Sequence, residues 1–256
     1  MRFPSIFRIS LLAVIITFTF FSCSKKTEEF TSEPLSDYLP LQTGKYITYR
    51  LDSLVFINFG ANTETHRYQV KHVVDQQLTD NLGRPSWRIY TYITDSTATQ
   101  PWSSTGTYFI TPLDQKIEVI EDNLRVIKLH LPVNEGFEWN GNAFLPDNPY
   151  GGAYDFSNDD DMENWNFTYN VFEPSLTYRN KNYTDVYTIE EQDESENAPV
   201  TNTGSYGYKN RSVEKYSKGI GLVYRQLELW EYQPNTSGAN PYKTGFGVTL
   251  WMIDHN

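Results

Sequence analysis

Tyr46-Ile47-Thr48-Tyr49-Arg50-Leu51-Asp52-Ser53-Leu54-Val55-Phe56-Ile57-Asn58-Phe59 is the stretch that decides the fold. Ile47, Tyr49, Leu51, Val55, Ile57 and Phe59 fall on the odd positions, with Arg50, Asp52 and Asn58 between them. Successive side chains of a strand point to opposite faces, so this period of two predicts a strand with one apolar face. The same period recurs in Tyr68–Val74, Trp87–Thr94, Thr107–Ile110, Lys116–Ile120 and Leu124–Leu131, and again in Asn166–Phe172, Tyr183–Glu190, Leu222–Tyr232 and Phe246–Ile253. The short polar break Glu121-Asp122-Asn123 reads as a hairpin turn. No window carries helical periodicity. Ser157-Asn158-Asp159-Asp160 reads as the cap of one short helical turn, and Arg211–Ser217 as another. The expected fold is all-β, a large curved antiparallel sheet of about ten strands, half-barrel or sandwich-like, with minor short helices.

The N-terminus is organised differently. Arg2 and Arg8 precede an apolar run, Ile9–Phe21, that has signal-peptide length and is short for a bilayer span. It ends in Phe20-Phe21-Ser22-Cys23, which resembles a bacterial lipobox. That resemblance implies cleavage before Cys23, a diacylglycerol thioether on its sulfur and a further acyl chain, such as palmitate, on the new amino group. Two or more acyl chains anchor durably where one does not. The expected organisation is a signal peptide over 1–22, a lipidated cysteine and tether over 23–36, and a single β-rich domain over 37–256. No Asp follows Cys23, which favours the outer membrane and leaves its face open. Cys23 is the only cysteine, so no internal disulfide forms. Losing Arg2 and Arg8 takes 21 basic residues to 19 against 32 acidic ones, a net charge of −13. That charge repels phosphate, arguing against nucleic acid and leaving the lipid anchor as the membrane contact.

Leu39-Pro40-Leu41-Gln42-Thr43-Gly44 is echoed by Leu131-Pro132-Val133-Asn134-Glu135-Gly136. Proline removes a ladder donor and glycine permits positive φ, so each copy can turn the chain into a new strand. The echo raises a division into two related halves meeting near 131–136. Tyr38-Leu39-Pro40-Leu41 with Gly44-Lys45-Tyr46, the block Ile127-Lys128-Leu129 with Trp139, Gly141 and Asn142, and Lys218-Gly219-Ile220-Gly221-Leu222-Val223-Tyr224-Arg225 resemble a group of Bacteroidota lipoproteins with no assigned activity. More remotely, a curved sheet behind a lipidated cysteine is similar to the half-barrel lipoproteins that carry or sort lipids. The resemblance brings no functional residue with it.

Catalytic patterns do not close. Ser212-Val213-Glu214-Lys215 and Lys243-Thr244-Gly245 match fragments of penicillin-recognising acyl enzymes, but the order and the helical domain of that chemistry are missing. His66, His72, His130 and His255 form no zinc pattern. The irregular stretch Phe137–Phe167 mixes Trp139, Tyr150, Tyr154 and Trp165 with several amides, a composition suited to stacking on and hydrogen-bonding a glycan. Asp155, Asp159 and Asp161 within it are weak Ca²⁺ candidates, their spacing unlike an EF-hand loop. The leading expectation is a non-enzymatic outer-membrane lipoprotein without cofactor, binding a ligand or an envelope partner. Its curved sheet would enclose a small apolar or amphipathic molecule. A surface glycan binder is the alternative, and a hydrolase using two distant carboxylates the second.

Overall fold

The computed structural model describes residues 32–235, 238 and 240–256. The expected signal peptide and the expected lipidation site, Cys23, lie outside the described residues. Twelve strands form one antiparallel sheet: β1 (Tyr46–Ile57), β2 (Asn62–Thr79), β3 (Pro85–Asp95), β4 (Ser103–Pro112), β5 (Lys116–Glu121), β6 (Leu124–His130), β7 (Glu138–Trp139), β8 (Phe167–Tyr178), β9 (Lys181–Glu196), β10 (Gly207–Ser217), β11 (Gly221–Gln233) and β12 (Tyr242–His255). Their order is β6-β5-β4-β3-β2-β1-β12-β11-β10-β9-β8-β7, curled until the sheet is nearly closed into a barrel. Two six-strand meanders therefore lie side by side, joined at the β1–β12 seam. There Leu51 faces Leu250 and Ser53 faces Val248, which puts their side chains on the inner face.

The end strands meet without a ladder. Trp139 Nε1 donates to the Ile127 carbonyl at 2.8 Å, and the Ile127 N–H donates to the Gly141 carbonyl at 2.8 Å. The Tyr169 hydroxyl donates to the His130 carbonyl at 2.8 Å and accepts from the His130 N–H at 3.2 Å. Side chains on β7 and β8 thus occupy edge groups of β6 that would otherwise lie open to another chain. Phe167 and Tyr169 pack there with Trp139, Leu129 and Ile189 in the main core.

Both ends of the barrel are covered. At one end a single helical turn, α1 (Leu35–Tyr38), sets Leu35 and Tyr38 into the main core. Packing begins at Ser32, whose hydroxyl accepts from the Val133 N–H at 2.7 Å, so residues 32–36 of the expected tether lie against the barrel. Over the other end lie residues 140–166, between β7 and β8. Tyr150 and Tyr154 of this loop pack on Phe246, and Asn158 donates to the Trp230 carbonyl at 3.1 Å. A 3₁₀ turn, Met162–Asn164, follows Ser157–Asp160.

One expectation fails. Arg211–Ser217 is not a helical turn but most of β10, paired on both sides with β9 and β11. Its alternation is masked because Glu214 takes an inward position that apolar residues take elsewhere, facing Arg225 across the ladder.

Candidate functional site: a charged chain between two interior cavities

Inward-facing side chains leave two voids in the barrel. A cavity of about 90 Å³ lies near α1, lined by Leu39, Leu41, Tyr49, Ile89, Ile110 and Leu222 among others. A second, of about 600 Å³, lies under the 140–166 loop against Leu51, Val70, Val126, Leu227, Val248 and Leu250. The loop contributes Leu145, Tyr150 and Met162 to that wall. His72, Val119, Glu121, Lys128 and Arg225 line both. The larger volume is within the range of small-molecule sites, and its wall has their composition, mostly apolar with a few convergent polar groups.

Those polar groups form a chain of alternating sign. Lys128 Nζ lies 3.0 Å from Glu191 and 2.9 Å from Glu214. Arg225 continues the chain, 3.3 Å from Glu214 and 3.2 Å from Glu121. The sequence is Glu191, Lys128, Glu214, Arg225, Glu121, with a carboxylate at each end. Five strands supply it: β9, β6, β10, β11 and β5. Burial disfavours the charged forms of Lys128, Glu214, Arg225 and Glu121, and their partners outweigh it. Desolvation works against the charge of Lys128, but Glu191 and Glu214 raise its pKa overall. The same contest, won by Glu121 and Glu214, raises Arg225. Desolvation pushes Glu214 up, yet Lys128 and Arg225 bring it below the ordinary carboxylate value. Glu121 is likewise lowered, chiefly by Arg225 against desolvation. The Tyr216 hydroxyl donates to Glu214 at 2.7 Å, satisfying a second acceptor of the central carboxylate.

His72 stands beside this chain, edge-on between Tyr49 and Tyr108, at 5.2 and 5.4 Å between ring centres. Its Nδ1 is 3.2 Å from the Tyr108 hydroxyl. Burial pulls its pKa down to about 4, so the ring is neutral at pH 7.

The residues singled out in the sequence occupy other places. Trp139 is buried against Phe167 and Tyr169, with no free face. Tyr150 lines the large cavity, Tyr154 stacks on Phe246, and Trp165 packs on the cluster of Met162, Leu227 and Leu229. Tyr150, Tyr154 and Trp165 therefore share one loop cluster, and Trp139 stands apart from it at the sheet edge. Asp159 is fully buried and accepts from the Tyr150 N–H at 2.8 Å, whereas Asp155 and Asp161 are exposed. Among the described residues no group of three acids, histidines or cysteines is placed to hold a metal. Ser212 lines the large cavity, while Lys215 faces outward to Glu173 at 2.6 Å, so the Ser-x-x-Lys pair straddles the sheet.

Sequence reasoning passed over Glu121, Lys128, Glu191, Glu214 and Arg225. A signal was present, since Arg225 is in phase with Leu227 and Leu229, and Lys128 with Leu124 and Val126. A charge in register with an inward apolar row marks a paired interior group.

Neither a family profile nor a curated protein matches this chain. Among solved structures, a Bacteroides fragilis protein described as exported and YmcC-like in fold is 10% identical with a TM-score of 0.36, over 84% of this chain and 98% of that one. A Vibrio parahaemolyticus domain described as part of an outer membrane lipoprotein-sorting protein is 10% identical with a TM-score of 0.17, over 83% and 85%. At these scores neither likeness transfers a function.

Proposed function

We propose that this chain is a non-enzymatic lipoprotein, anchored through Cys23 in the outer membrane, whose barrel binds an amphipathic molecule. The observation that carries the reading is the cavity of about 600 Å³ under the 140–166 loop, with its mostly aliphatic wall and a charged chain at one side. A barrel meant only as a scaffold fills such space with side chains, because interiors pack to near-crystalline density. Glu121 and Glu214 do not suit the acid role in hydrolysis by paired carboxylates. A general acid needs a raised pKa, and Glu121 and Glu214 are both held low by cations.

The test is uptake of N-phenyl-1-naphthylamine, whose fluorescence rises in apolar surroundings. The full chain should take it up, and the cavity-filling variants Val248→Trp and Leu250→Trp should lose uptake while retaining a β-sheet circular dichroism spectrum. A wild-type protein that leaves the probe dark refutes the proposal.

A further inference from the structure

Resting on the cavity-binding reading, we infer that the large cavity selects the polar end of its ligand by charge: it takes an aliphatic chain ending in an amine, with Glu121 and Asp122 as the counter-charge.

Along the interior chain three carboxylates alternate with two cations, so one negative charge is left over. Its position follows from accessibility. Glu191, at one end, has a side chain only 5% accessible, and Glu214 in the middle only 3%. Glu121, at the other end, is 40% accessible and lines both cavities. Arg225 meets Glu121 through Oε2 alone, and among the described residues Oε1 has no partner. The surplus charge is therefore presented at Glu121.

Asp122 reinforces it. It is the next residue, at the β5–β6 turn, with a positive φ of 51° that turns the chain there. It lines the large cavity and takes part in no ion pair among the described residues. The charged groups on that cavity are thus Glu121, Asp122 and Glu191 against Lys128 and Arg225. Lys128 is already held by two carboxylates and lies 5.3 Å from the centre of the Phe167 ring. Arg225 is likewise shared between two carboxylates. Each cation is shared between two carboxylates, whereas Glu121 keeps one oxygen unpaired and Asp122 is in no ion pair among the described residues. Lys45 faces only the small cavity, where its ammonium donates to the Gly219 carbonyl at 3.0 Å. A ligand ammonium placed beside Glu121 completes the alternation with a third cation, while a ligand carboxylate adds a fourth anion to a site of low polarity. Charge-assisted pairing in such surroundings decides between heads on the same chain.

Dodecylamine, dodecanol and dodecanoate, each below its micellar concentration, are used to displace N-phenyl-1-naphthylamine from the full chain at pH 7. Dodecylamine should displace the probe at a concentration about tenfold or more below that of dodecanoate, with dodecanol between them. Glu121→Gln and Asp122→Asn should each narrow the gap and leave dodecanol unchanged. Asp114→Asn, which removes an exposed acid at the β4–β5 turn, at the opposite end of β5 from Asp122, should leave the gap intact, separating the site from the general acidity of the chain. Asp122→Asn changes a cavity-lining residue at an exposed turn, where it disturbs no buried pair, and keeps the test decisive if Glu121→Gln does not fold. Equal or better displacement by dodecanoate overturns this inference and leaves cavity binding standing. So does a gap that persists in both cavity variants, or one that closes in Asp114→Asn. Probe uptake that none of the three reverses, or that is absent altogether, overturns the cavity reading itself.

Discussion

Gly44 and Gly136 stand at matching turns before the two six-strand meanders, with φ of 85° and 82°. In each, the glycine N–H donates at 2.8 Å to a neighbouring strand, to Val74 in one case and Tyr169 in the other. The next residue, Lys45 or Phe137, donates at 3.0 Å to the carbonyl three positions back. From there the halves part. The first turn leads into β1, twelve residues long and central in the sheet, while the second leads into β7, two residues long and at its edge. Where the first half makes a tight hairpin at Asn58–Ala61, the second inserts residues 140–166. The same turn thus serves a wall in one half and a cover in the other. A barrel built from two equal halves would have open ends and two long edges; shortening one strand frees its chain to cap an end. The price is a seam held by Trp139 and Tyr169 side chains instead of a ladder.

The halves are also tied through the interior, and the largest expected effect tests that tie. Lys128, on β6, is the first half's cation between Glu191 and Glu214 of the second. Lys128→Met should cost about 3–5 kcal/mol in urea unfolding, because it strands buried carboxylates. The outward pair Arg50–Asp52 gives the contrast: Arg50→Met should cost no more than about 1 kcal/mol. Comparable losses would mean that the interior chain does not hold the halves together.

His72 belongs to the first half, and its burial makes stability depend on pH. Its folded pKa, about 4, lies below the ordinary histidine value, so folding favours the neutral ring. That contribution is complete above the unfolded pKa of about 6.5 and is lost as pH falls through the folded value, on the order of 3 kcal/mol. Thermal unfolding of wild type and His72→Gln should therefore differ in slope between pH 7 and 4, the variant being flatter. Parallel curves would count against a buried neutral histidine.

The seam is next. Tyr169→Phe leaves the His130 N–H and carbonyl without their partner and should cost about 1–3 kcal/mol. Hydrogen exchange at His130 should quicken relative to amides of the laddered β1–β12 seam. Unchanged exchange there would show that the hydroxyl does not close the barrel.

The smallest effect is the sharpest comparison. No atom lies within 4 Å of a Cβ built on either Gly44 or Gly136, so alanine at each meets only the cost of positive φ. Gly44→Ala and Gly136→Ala should each lose about 1 kcal/mol, equal within error. A large difference would separate the two turns that the geometry makes alike.

Strand after strand was legible because a half-buried pleat writes its two faces into alternate residues, as Tyr46–Phe59 does in β1. The same rule hid β10. Ser212, Glu214 and Tyr216 face inward there, and Glu214 is tolerable inside only because Arg225 across the hairpin and Lys128, far off in the chain, reach it. Trp139 illustrates the opposite error of scale: its composition suited a ligand, but its indole N–H is taken by Ile127 across the closing edge. Loop aromatics look alike in sequence whether they face solvent, a cavity or the core.

Local pattern therefore determined what depends on neighbours in sequence: the β class and the turns at Gly44 and Gly136. Only the tertiary structure decided the near-closure of the sheet, the cover over its end, and the chain Glu191–Lys128–Glu214–Arg225–Glu121. Each of these joins residues from distant strands, and an ion pair has no periodicity by which either partner announces the other. A cavity has still less, being the space that side chains from many strands leave unfilled.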